Sequence, residues 1–342
     1  MKKIKVGVAG YGTIGQRLAD GVARQGDMEL VGVADLAPTL AVRALYEKGM
    51  PYDLYLVNDS NKEKFAELGI PVSGTFEDLI DKVDIMLDSS PGGIGAKNKE
   101  LYQAKGVKAI FQGGEKNTVA DVFFHGYANF EKGVGADYLK LTSCNTTGLV
   151  RAVDCLDRAC GGIEKVAITI IRRVADPGDY HRGLTNALQI DKAPSHQAVD
   201  LMTIMPHVEA TGILVHTPVS HGHIITVLAT GKQKITKEMA LAAFKKHPRI
   251  RVVKLEDGFL GNASFFKYAR DLGHPRGDMY EIGLWEDSIV ESGDDIMFAI
   301  NIPQEAVTIP ETMDAVRAAM KMQTTRELGT AETNKYLDLK VR

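Results

Sequence analysis

The sequence predicts an α/β protein whose first half forms a doubly wound parallel sheet, followed by a second domain. Short apolar runs alternate with helical patterns throughout the first half, as expected for strands buried under helices on both faces. A glycine-rich turn directly follows the first of these runs. The length of 342 residues exceeds one typical domain, so we expect two.

The first predicted strand and its glycine turn indicate a dinucleotide-binding, Rossmann-type fold. Residues 4–9 form the strand, and a G-x-G-x-x-G turn follows, made by Gly10, Tyr11, Gly12, Thr13, Ile14 and Gly15. A helical pattern begins there, and a second strand over 29–34 ends at Asp35, 20 residues after Gly15. This order of strand, glycines, helix, strand and acid favours a pyrophosphate and ribose site over an ordinary turn.

The next strands of this sheet also end in small residues. A strand predicted over 84–88 leads into SSPGGIG, and a strand over 108–111 leads into QGGEK, which contains Gly114. Ligands bind at the carboxyl ends of strands in doubly wound sheets. We therefore predict that both loops contact the dinucleotide, although each could be a simple turn.

Cys144 stands in the turn between a predicted strand, 138–142, and a helix that begins near Asn145. The positive end of the helix dipole and its free N–H groups favour a thiolate and can hold an oxyanion. A cysteine can equally be a small buried apolar residue, which is our interpretation of Cys155 and Cys160. Because Ser, Asn and Thr flank Cys144, we predict that it is a nucleophile.

A nucleophilic thiol is best served by a nearby base, and the richest histidine cluster is His216, His221 and His223. A strand predicted over 223–229 would turn His221 and His223 to the same face. Their H-x-H spacing could instead bind zinc, and any one of them could be a surface or packing residue. We expect a base and no metal, because Cys144 already has another role.

Two further polar groups suit a phosphate. Arg172 and Arg173 end a predicted strand, and arginine makes planar contacts with phosphate or carboxylate. His196 and Gln197 open a predicted helix, whose N-terminus also attracts anions. The structural alternative for these groups is a pair of exposed arginines and a capped helix.

The composition argues against several classes of protein. A net charge of −3 favours neither nucleic acid nor an anionic membrane as a partner. No run approaches the ~20 apolar residues of a membrane-spanning helix, and no continuous apolar segment of a secretory signal follows the basic start. Three cysteines without a C-x-x-C pair fit a reducing compartment, so we expect a cytoplasmic protein.

Motifs along nearly the whole chain resemble archaeal-type (class II) glyceraldehyde-3-phosphate dehydrogenase. They are GYGTIG, FQGGEK, SCNTTG, RRVAD, PSH, a T-x-x-x-H-x-H run at 217–223, WEDSI and PQEAVTIPE. SCNTT alone is shared with other phosphorylating aldehyde dehydrogenases. Its combination with FQGGEK and RRVAD is far more specific to this family.

The resemblance implies the phosphorylating oxidation of D-glyceraldehyde 3-phosphate to 1,3-bisphosphoglycerate with NAD or NADP. Cys144 would form the thiohemiacetal and the thioester, and His221 would be the base. The dinucleotide would contact Gly10, Gly12, Thr13, Ile14, Gly15, Asp35, Gly114, Arg172, Arg173 and Gln304. The triose phosphate and inorganic phosphate would contact Ser143, Asn145, Thr146, Arg172, Arg173, His196 and Gln197.

The resemblance also implies how the chain divides and assembles. The dinucleotide-binding domain would comprise residues 1–143 and 305–342, with a helix from Pro310 returning to it. An α+β catalytic domain would comprise residues 144–304. The assembly would be a homotetramer.

Two departures from the family pattern leave alternatives. Relatives that prefer NADP often carry Lys where Asp35 stands, so the family's cofactor preference does not transfer to this chain. The Asp35 carboxylate would repel the 2′-phosphate of NADP, so we predict a preference for NAD. Some relatives carry His-His where this chain has His196-Gln197, which leaves one phosphate contact neutral.

The competing functions are an aspartate-semialdehyde or N-acetyl-glutamyl-phosphate type of dehydrogenase, which must recognise a carboxylate, and a dinucleotide-sensing protein, which needs no nucleophile.

Overall fold

A computed structural model describes residues 2–174 and 187–342, and the chain forms two compact units. The first unit contains Met1–Leu141 and Ile309–Leu337, and the second contains Thr142–Thr308 and Asp338–Arg342. The resemblance implied domain boundaries after residue 143 and after residue 304, each a few residues from the observed boundary. The structure differs at the C-terminus, where residues 338–342 belong to the second unit. The last two residues of the RRVAD motif, 175–176, lie outside the described residues.

Eight strands build the sheet of the first unit. They are β1 (Ile4–Ala9), β2 (Met28–Asp35), β3 (Asp53–Leu56), β4 (Gly74–Thr75), β5 (Ile85–Asp88), β6 (Lys108–Phe111), β7 (Val122–Phe124) and β8 (Tyr138–Leu141). Their order is β4-β3-β2-β1-β5-β6-β8-β7, and all described pairings are parallel. The order turns back at β1, so the crevice between the ends of β1 and β5 is where such a sheet binds its ligand. The α/β prediction is confirmed.

Seven helices accompany this sheet. They are α1 (Thr13–Ala23), α2 (Leu40–Glu47), α3 (Lys62–Glu67), α4 (Phe76–Ile80), α5 (Ile94–Lys105), α10 (Ile309–Ala319) and α11 (Arg326–Leu337). Short 3-10 turns occur at Asp59–Asn61, Asn117–Val119 and Phe130–Gly133. Every residue of β5 is buried, so its first three residues, Ile85 to Leu87, are apolar without alternation.

The chain returns to the first unit through α10, one residue earlier than the predicted start at Pro310. Helix α10 is buried along its whole length. Gly21 lets α1 approach this helix, because a Cβ there would lie 2.7 Å from the Ile309 side chain.

The second unit is built on a mixed sheet. Its strands are β9 (Ile163–Arg173), β10 (Gln189–Ile190), β11 (Glu209–Thr217), β12 (His223–Gly231), β13 (Ile250–Val253), β14 (Ile282–Trp285), β15 (Val290–Ser292) and β16 (Asp295–Ile302). Their order is β10-β11-β9-β12-β16-β14-β13, with β15 paired to β16. Its helices are α6 (Cys144–Ala159), α7 (His196–Ile204), α8 (Lys237–Lys245) and α9 (Asn262–Asp271), with 3-10 turns at Pro275–Gly277 and Glu286–Ser288.

The strand pairing in this sheet brings the ends of several strands together at one edge. β12 runs antiparallel to both β9 and β16, so the start of β12 lies beside the end of each. His223, the first residue of β12, is opposite Ile302, the last residue of β16. Helix α6 begins at the same place, since a Cβ on Gly148 would lie 2.2 Å from the Ile302 side chain. Residues far apart in sequence therefore meet around the start of α6.

None of the described helices is both long and apolar enough to span a bilayer.

Candidate active site around Cys144

Cys144 is the first residue of α6, and its hydrogen-bonding neighbours hold that helix start in place. Ser143 is the N-cap and its Oγ accepts a hydrogen bond from the Thr146 N–H at 3.4 Å. The hydroxyls of Thr142 and Thr147 lie 2.7 Å apart beneath the turn. The small polar residues around Cys144 thus form a rigid cap, and they leave the thiol partly exposed.

His223 is the histidine that the structure brings to this thiol. Its Nε2 lies 3.7 Å from the Cys144 Sγ, and the side chain is 1% exposed. On the other side of the ring, the Arg173 backbone N–H donates to Nδ1 at 3.1 Å. The Gln304 amide, just beyond β16, also interacts with the ring.

His221 is placed elsewhere, contrary to the expectation that it shares a face with His223. Strand alternation does not reach it, because β12 begins only at His223 and Gly222 has a φ of +58°, in the left-handed region. His221 is exposed, with Nδ1 3.0 Å from the Ser220 Oγ and its ring edge against Phe266 at 4.9 Å between centroids. The structure therefore pairs Cys144 with the second histidine of the H-x-H motif.

The two arginines at the end of β9 have different surroundings. Arg173 is 4% exposed, and its Nη1 donates to the Glu305 carboxylate at 2.6 Å and to the Ser220 carbonyl at 2.8 Å. Arg172 is less buried, and its charge acts on both Cys144 and His196. The charge of Arg172 thus acts on both the thiol and His196, while the guanidinium of Arg173 pairs with Glu305.

Burial shifts the pKa values of Cys144 and His223 in opposite directions. Burial raises the pKa of Cys144 to about 11, although Arg172, the Asn145 N–H and Arg173 act to lower it. Burial lowers the pKa of His223 well below its usual value, and the charges of Arg173 and Arg172 act in the same direction. We expected a helix-stabilised thiolate, whereas desolvation outweighs the helix N-terminus in this structure.

A second polar cluster lies at the start of α7. The Thr146 hydroxyl donates to Asp200 at 3.1 Å and lies 2.9 Å from the Ser143 Oγ. Burial lowers the pKa of His196, the Asp200 charge acts to raise it, and the Arg172 charge acts to lower it. A cavity of about 360 Å³ opens here, lined by Asp191, Lys192, Pro194, Ser195, His196, Val199, Asp200 and Leu214.

Several buried polar atoms near these two helix starts have no hydrogen-bond partner among the described residues. They are the Asn145 Oδ1, the Ser195 Oγ and the Gln197 Oε1, in side chains 1–2% exposed. Buried polar atoms are normally satisfied, so orphaned ones are candidate ligand contacts. Ser143 and Thr146, by contrast, already use their hydroxyls in the cap of α6.

Two carboxylates near the site were not predicted from the sequence. Glu305 pairs with Arg173, and Asp200 stands one turn after His196 on α7. The i,i+4 spacing of His196 and Asp200 was a readable signal. For Glu305 the adjacent Gln304 was the only signal. Among the described residues, no group of three His, Cys, Asp or Glu side chains could hold a metal ion.

In the first unit, the glycine turn between β1 and α1 has the shape of a pyrophosphate cradle. Gly15 packs directly under Gly10, since a Cβ on Gly15 would lie 1.8 Å from the Gly10 carbonyl oxygen. Gly12 faces open space, with nothing within 4 Å of a Cβ built on it. No side chain caps the N-terminus of α1, so its N–H groups are available to an anion.

Asp35 lies at the end of β2, as predicted, and it also orders the glycine turn. Its carboxylate accepts hydrogen bonds from the Tyr11 N–H at 2.8 Å and the Ala37 N–H at 3.2 Å. Arg43, which could offset its charge, instead donates to the Pro38 carbonyl at 3.1 Å. The carboxylate therefore lies where an adenosine ribose would reach it.

The two loops after β5 and β6 approach each other closely. A Cβ on Gly92 would lie 2.9 Å from the Gly114 carbonyl oxygen. The Glu115 carboxylate, which is 9% exposed, accepts a hydrogen bond from the Gly95 N–H at 2.8 Å. This contact between the two predicted cofactor loops needs small residues on both sides.

Comparisons with known proteins identify relatives of this chain. Residues 143–271 match the family model described as glyceraldehyde 3-phosphate dehydrogenase, C-terminal domain. The chain is 39% identical over 341 residues to glyceraldehyde-3-phosphate dehydrogenase of Hyperthermus butylicus, covering 99% of this chain and 98% of that one. It is 40% identical over 339 residues to the Pyrococcus abyssi enzyme of the same name, covering 98% and 99%.

Solved structures show a similar fold at low identity. Aspartate semialdehyde dehydrogenase II from Vibrio cholerae aligns with a TM-score of 0.64 and 15% identity, covering 94% of this chain and 98% of that chain. A second structure of that protein, in complex with ASA, aligns with a TM-score of 0.66 and 14% identity. At such identity the likeness supports the two-domain α/β fold alone.

Proposed function

The chain belongs to the glyceraldehyde-3-phosphate dehydrogenase family, and we propose that it carries out the phosphorylating oxidation of D-glyceraldehyde 3-phosphate to 1,3-bisphosphoglycerate. The observation that carries this proposal is Cys144 at the start of α6, with the His223 Nε2 at 3.7 Å and the Arg172 charge beside the thiol. This set combines a nucleophile, a proton-exchanging group and a cation for phosphate.

The proposed chemistry begins on Cys144. The Sγ attacks the aldehyde carbon to give a thiohemiacetal. Loss of a hydride from that carbon and of the proton from its hydroxyl group then leaves a thioester on the same sulfur. Inorganic phosphate then attacks the thioester, and the sulfur leaves as a thiolate. We propose that N–H groups at the start of α6 stabilise the oxygen of each tetrahedral species.

His223 replaces His221 as the proposed histidine of the reaction. It lies against the sulfur, whereas His221 contacts Phe266 and Ser220. A group that exchanges or donates a proton must lie within hydrogen-bonding reach of the reacting atoms. We propose that the His223 ring exchanges a proton with the oxygen of the thiohemiacetal.

For the phosphate groups we propose Arg172 and His196 as the principal contacts. His196 begins α7, and the Arg172 charge acts on it. The orphaned amide oxygens of Asn145 and Gln197 lie at the starts of α6 and α7. Those oxygens would accept from substrate hydroxyls, because they cannot donate to phosphate. Arg173 would contribute through its pair with Glu305.

The residues of the first unit fit a nicotinamide dinucleotide, which supplies the hydride acceptor when bound. Gly10, Gly12 and Gly15 would hold the pyrophosphate with Thr13 and Ile14 at the N-terminus of α1. Asp35 would accept hydrogen bonds from the adenosine ribose and repel a 2′-phosphate, so we propose a preference for NAD over NADP. Gly114 would line the second loop, and Gln304 would serve the nicotinamide side.

We further propose a cytoplasmic homotetramer. The three free cysteines fit a reducing compartment, since none is paired with another. Sedimentation or light scattering of the purified protein would measure its mass directly.

A spectrophotometric assay with glyceraldehyde 3-phosphate and inorganic phosphate tests the proposed function, run separately with NAD and NADP. The expected result is an increase in the absorbance of reduced nicotinamide that requires both glyceraldehyde 3-phosphate and inorganic phosphate. Aspartate 4-semialdehyde serves as the matched control, because that substrate carries a carboxylate in place of the phosphate. Turnover with the control alone would overturn the proposal.

A further inference from the structure

The turn at residues 303–307 follows β16 and carries two residues of the candidate site, Gln304 and Glu305. Inside the turn, two backbone N–H groups donate to the Pro303 carbonyl at 3.2 and 3.1 Å. These bonds make the turn compact. They do not determine where it lies relative to Cys144, which belongs to a different element, so contacts with the rest of the second unit must do so.

Helix α6 packs against the first end of this turn at Gly148. A Cβ on Gly148 would lie 2.2 Å from the Ile302 Cδ1 and 3.0 Å from the Ile282 Cγ2. Ile302 is the last residue of β16 and directly precedes the turn. Because interiors are close-packed, only a residue without a side chain lets the helix lie this close to the end of β16.

The other end of the turn is bound by Arg151, which lies on the same helix and is 0% exposed. Its Nη2 donates to the Val307 carbonyl at 3.0 Å. Its Nη1 donates to the carbonyls of Arg249 and Tyr280, at 3.1 and 2.9 Å, just before β13 and β14. One planar guanidinium, with its donors in a rigid fork, thus joins α6 to three separate segments.

These two contacts lie on the helix that begins with the nucleophile. Gly148 is four residues and Arg151 seven residues after Cys144, and residues at this spacing share one face of a helix. The same element therefore carries the sulfur and binds both ends of the turn. The distance from Cys144 to the turn is fixed by α6 itself, in addition to the Glu305 pair with β9.

We propose that Arg151 is a positioning residue for the reaction, whose buried guanidinium keeps the 303–307 turn at a fixed distance from Cys144, with Gly148 setting the other end. Arg151 acts through Gln304 and Glu305 and not by contact with the substrate. Burial of a cation is costly, and the three carbonyl acceptors offset that cost. This inference rests on the proposed function for the identity of the reaction and for the place of Gln304 on the nicotinamide side.

Arg151→Lys removes the fork and retains the charge. We expect the single-turnover rate constant of hydride transfer, measured per Cys144 that forms the thioester, to fall on the order of 10²-fold, as for a misplacement of about 1 Å. The Kd of the dinucleotide, measured by calorimetry, should not change. A purely structural role would instead give fewer active sites with an unchanged rate constant, and that result would overturn the proposal.

Arg317→Lys is the matched control, because Arg317 is also a fully buried arginine. It lies in the first unit, where its Nη2 is 2.7 Å from the Asp27 carboxylate. This variant should lose stability to urea while the rate constant per active site stays the same. An equal fall of the rate constant in Arg317→Lys and Arg151→Lys would contradict a specific role for Arg151.

Gly148→Ala tests the other end of the turn and leaves every hydrogen bond of Arg151 in place, so it also serves if Arg151→Lys does not fold. The added methyl group pushes α6 away from Ile302, and the rate constant should fall. Ile302→Val removes the Cδ1 that the methyl meets, so the double variant should recover about tenfold over Gly148→Ala. An unchanged rate constant in Gly148→Ala, or no recovery in the double variant, would overturn the proposal.

Hydrogen–deuterium exchange followed by mass spectrometry examines the turn without any substrate. We expect peptides that cover residues 303–308 to exchange faster in Arg151→Lys than in the unaltered protein, and not in Arg317→Lys. Unchanged exchange there in Arg151→Lys would overturn the inference. Absence of glyceraldehyde 3-phosphate oxidation by the unaltered protein would contradict the proposed function, so the two failures are distinguishable.

Discussion

The two proposed ligand-binding regions of this chain are built in different ways. In the first unit a single contiguous stretch, Gly10–Gly15, forms the proposed pyrophosphate cradle, and it would bind through backbone atoms. In the second unit the site combines α6, the end of β9, the start of β12 and the segment after β16. A local motif thus builds the first region, whereas the sheet register builds the second.

The difference appears most clearly in what each region tolerates. A backbone cradle depends on the absence of side chains, since a Cβ on Gly15 would lie 1.8 Å from the Gly10 carbonyl. The Cys144 region depends on the placement of particular side chains, and one glycine at position 222 decides which histidine reaches the sulfur. The predictions below separate the two regions.

Loss of the nucleophile should have the largest effect and leave the first region untouched. We expect Cys144→Ser to oxidise no detectable aldehyde, because a hydroxyl is too weakly acidic to replace the thiol, while dinucleotide binding measured by calorimetry is retained. Cys155→Ser is the control. It lies in the same helix, where its thiol donates to the Ala243 carbonyl at 3.4 Å, and it should remain active. Activity in Cys144→Ser would contradict the assignment.

The two histidines should differ strongly although they are two residues apart. We expect His223→Ala to lower kcat/KM on the order of 10²–10⁴-fold, the range for loss of a proton-handling side chain. His221→Ala should remain within about threefold of the parent enzyme, since His221 is exposed and lies on Phe266. If steady-state assays showed a larger loss of kcat/KM in His221→Ala than in His223→Ala, the prediction that His221 is the catalytic histidine would be restored.

The two arginines should separate substrate recognition from stability. We expect Arg172→Ala to lower kcat/KM for glyceraldehyde 3-phosphate on the order of 10²-fold, because a charged hydrogen bond contributes ~1.5–3 kcal/mol. Activity on unphosphorylated glyceraldehyde should change little.

Arg173→Ala provides the contrast for that experiment. It leaves the Glu305 carboxylate, which is 19% exposed, without its 2.6 Å partner. We expect a loss of unfolding free energy on the order of 3 kcal/mol, measured by urea denaturation. If both variants affected the two substrates equally, neither arginine would bind the substrate phosphate.

Alkylation of Cys144 should be slow at neutral pH and rise with pH. Because burial raises the pKa of this thiol to about 11, the thiolate fraction should increase about tenfold for each pH unit between pH 7 and pH 10. Iodoacetamide labelling followed by mass spectrometry measures the rate at each pH. A fast rate that is constant above pH 6 would instead indicate the helix-stabilised thiolate that the sequence predicts.

The smallest effect should come from the first unit, at Asp35. Asp35→Asn removes the charge but retains an oxygen to accept the Tyr11 N–H, which the carboxylate binds at 2.8 Å. We expect the ratio of kcat/KM with NADP to that with NAD to rise about tenfold, or about 1.4 kcal/mol. Asp35→Ala is the control, because it also loses the acceptor and should raise KM for both cofactors. An unchanged ratio in Asp35→Asn would show that another residue discriminates.

The sequence by itself determined the secondary structure around the glycine turn and the choice of candidate functional residues. The strand at residues 4–9, its glycine turn and Asp35 follow from local patterns, and the structure places them as predicted because glycine geometry and strand periodicity act over a few residues. Cys144 at the start of α6 is equally local, since small polar residues cap the helix that follows.

Only the tertiary structure decided which side chains meet. The pairing of β12 with β9 and β16 brings together His223, the Arg173 amide and Gln304, which sequence spacing alone could not order. The left-handed turn at Gly222 moves His221 away, and a period-two pattern cannot reveal where a strand begins. Burial raises the pKa of Cys144, where the sequence favoured a lowered one, because desolvation depends on every element packed around the thiol.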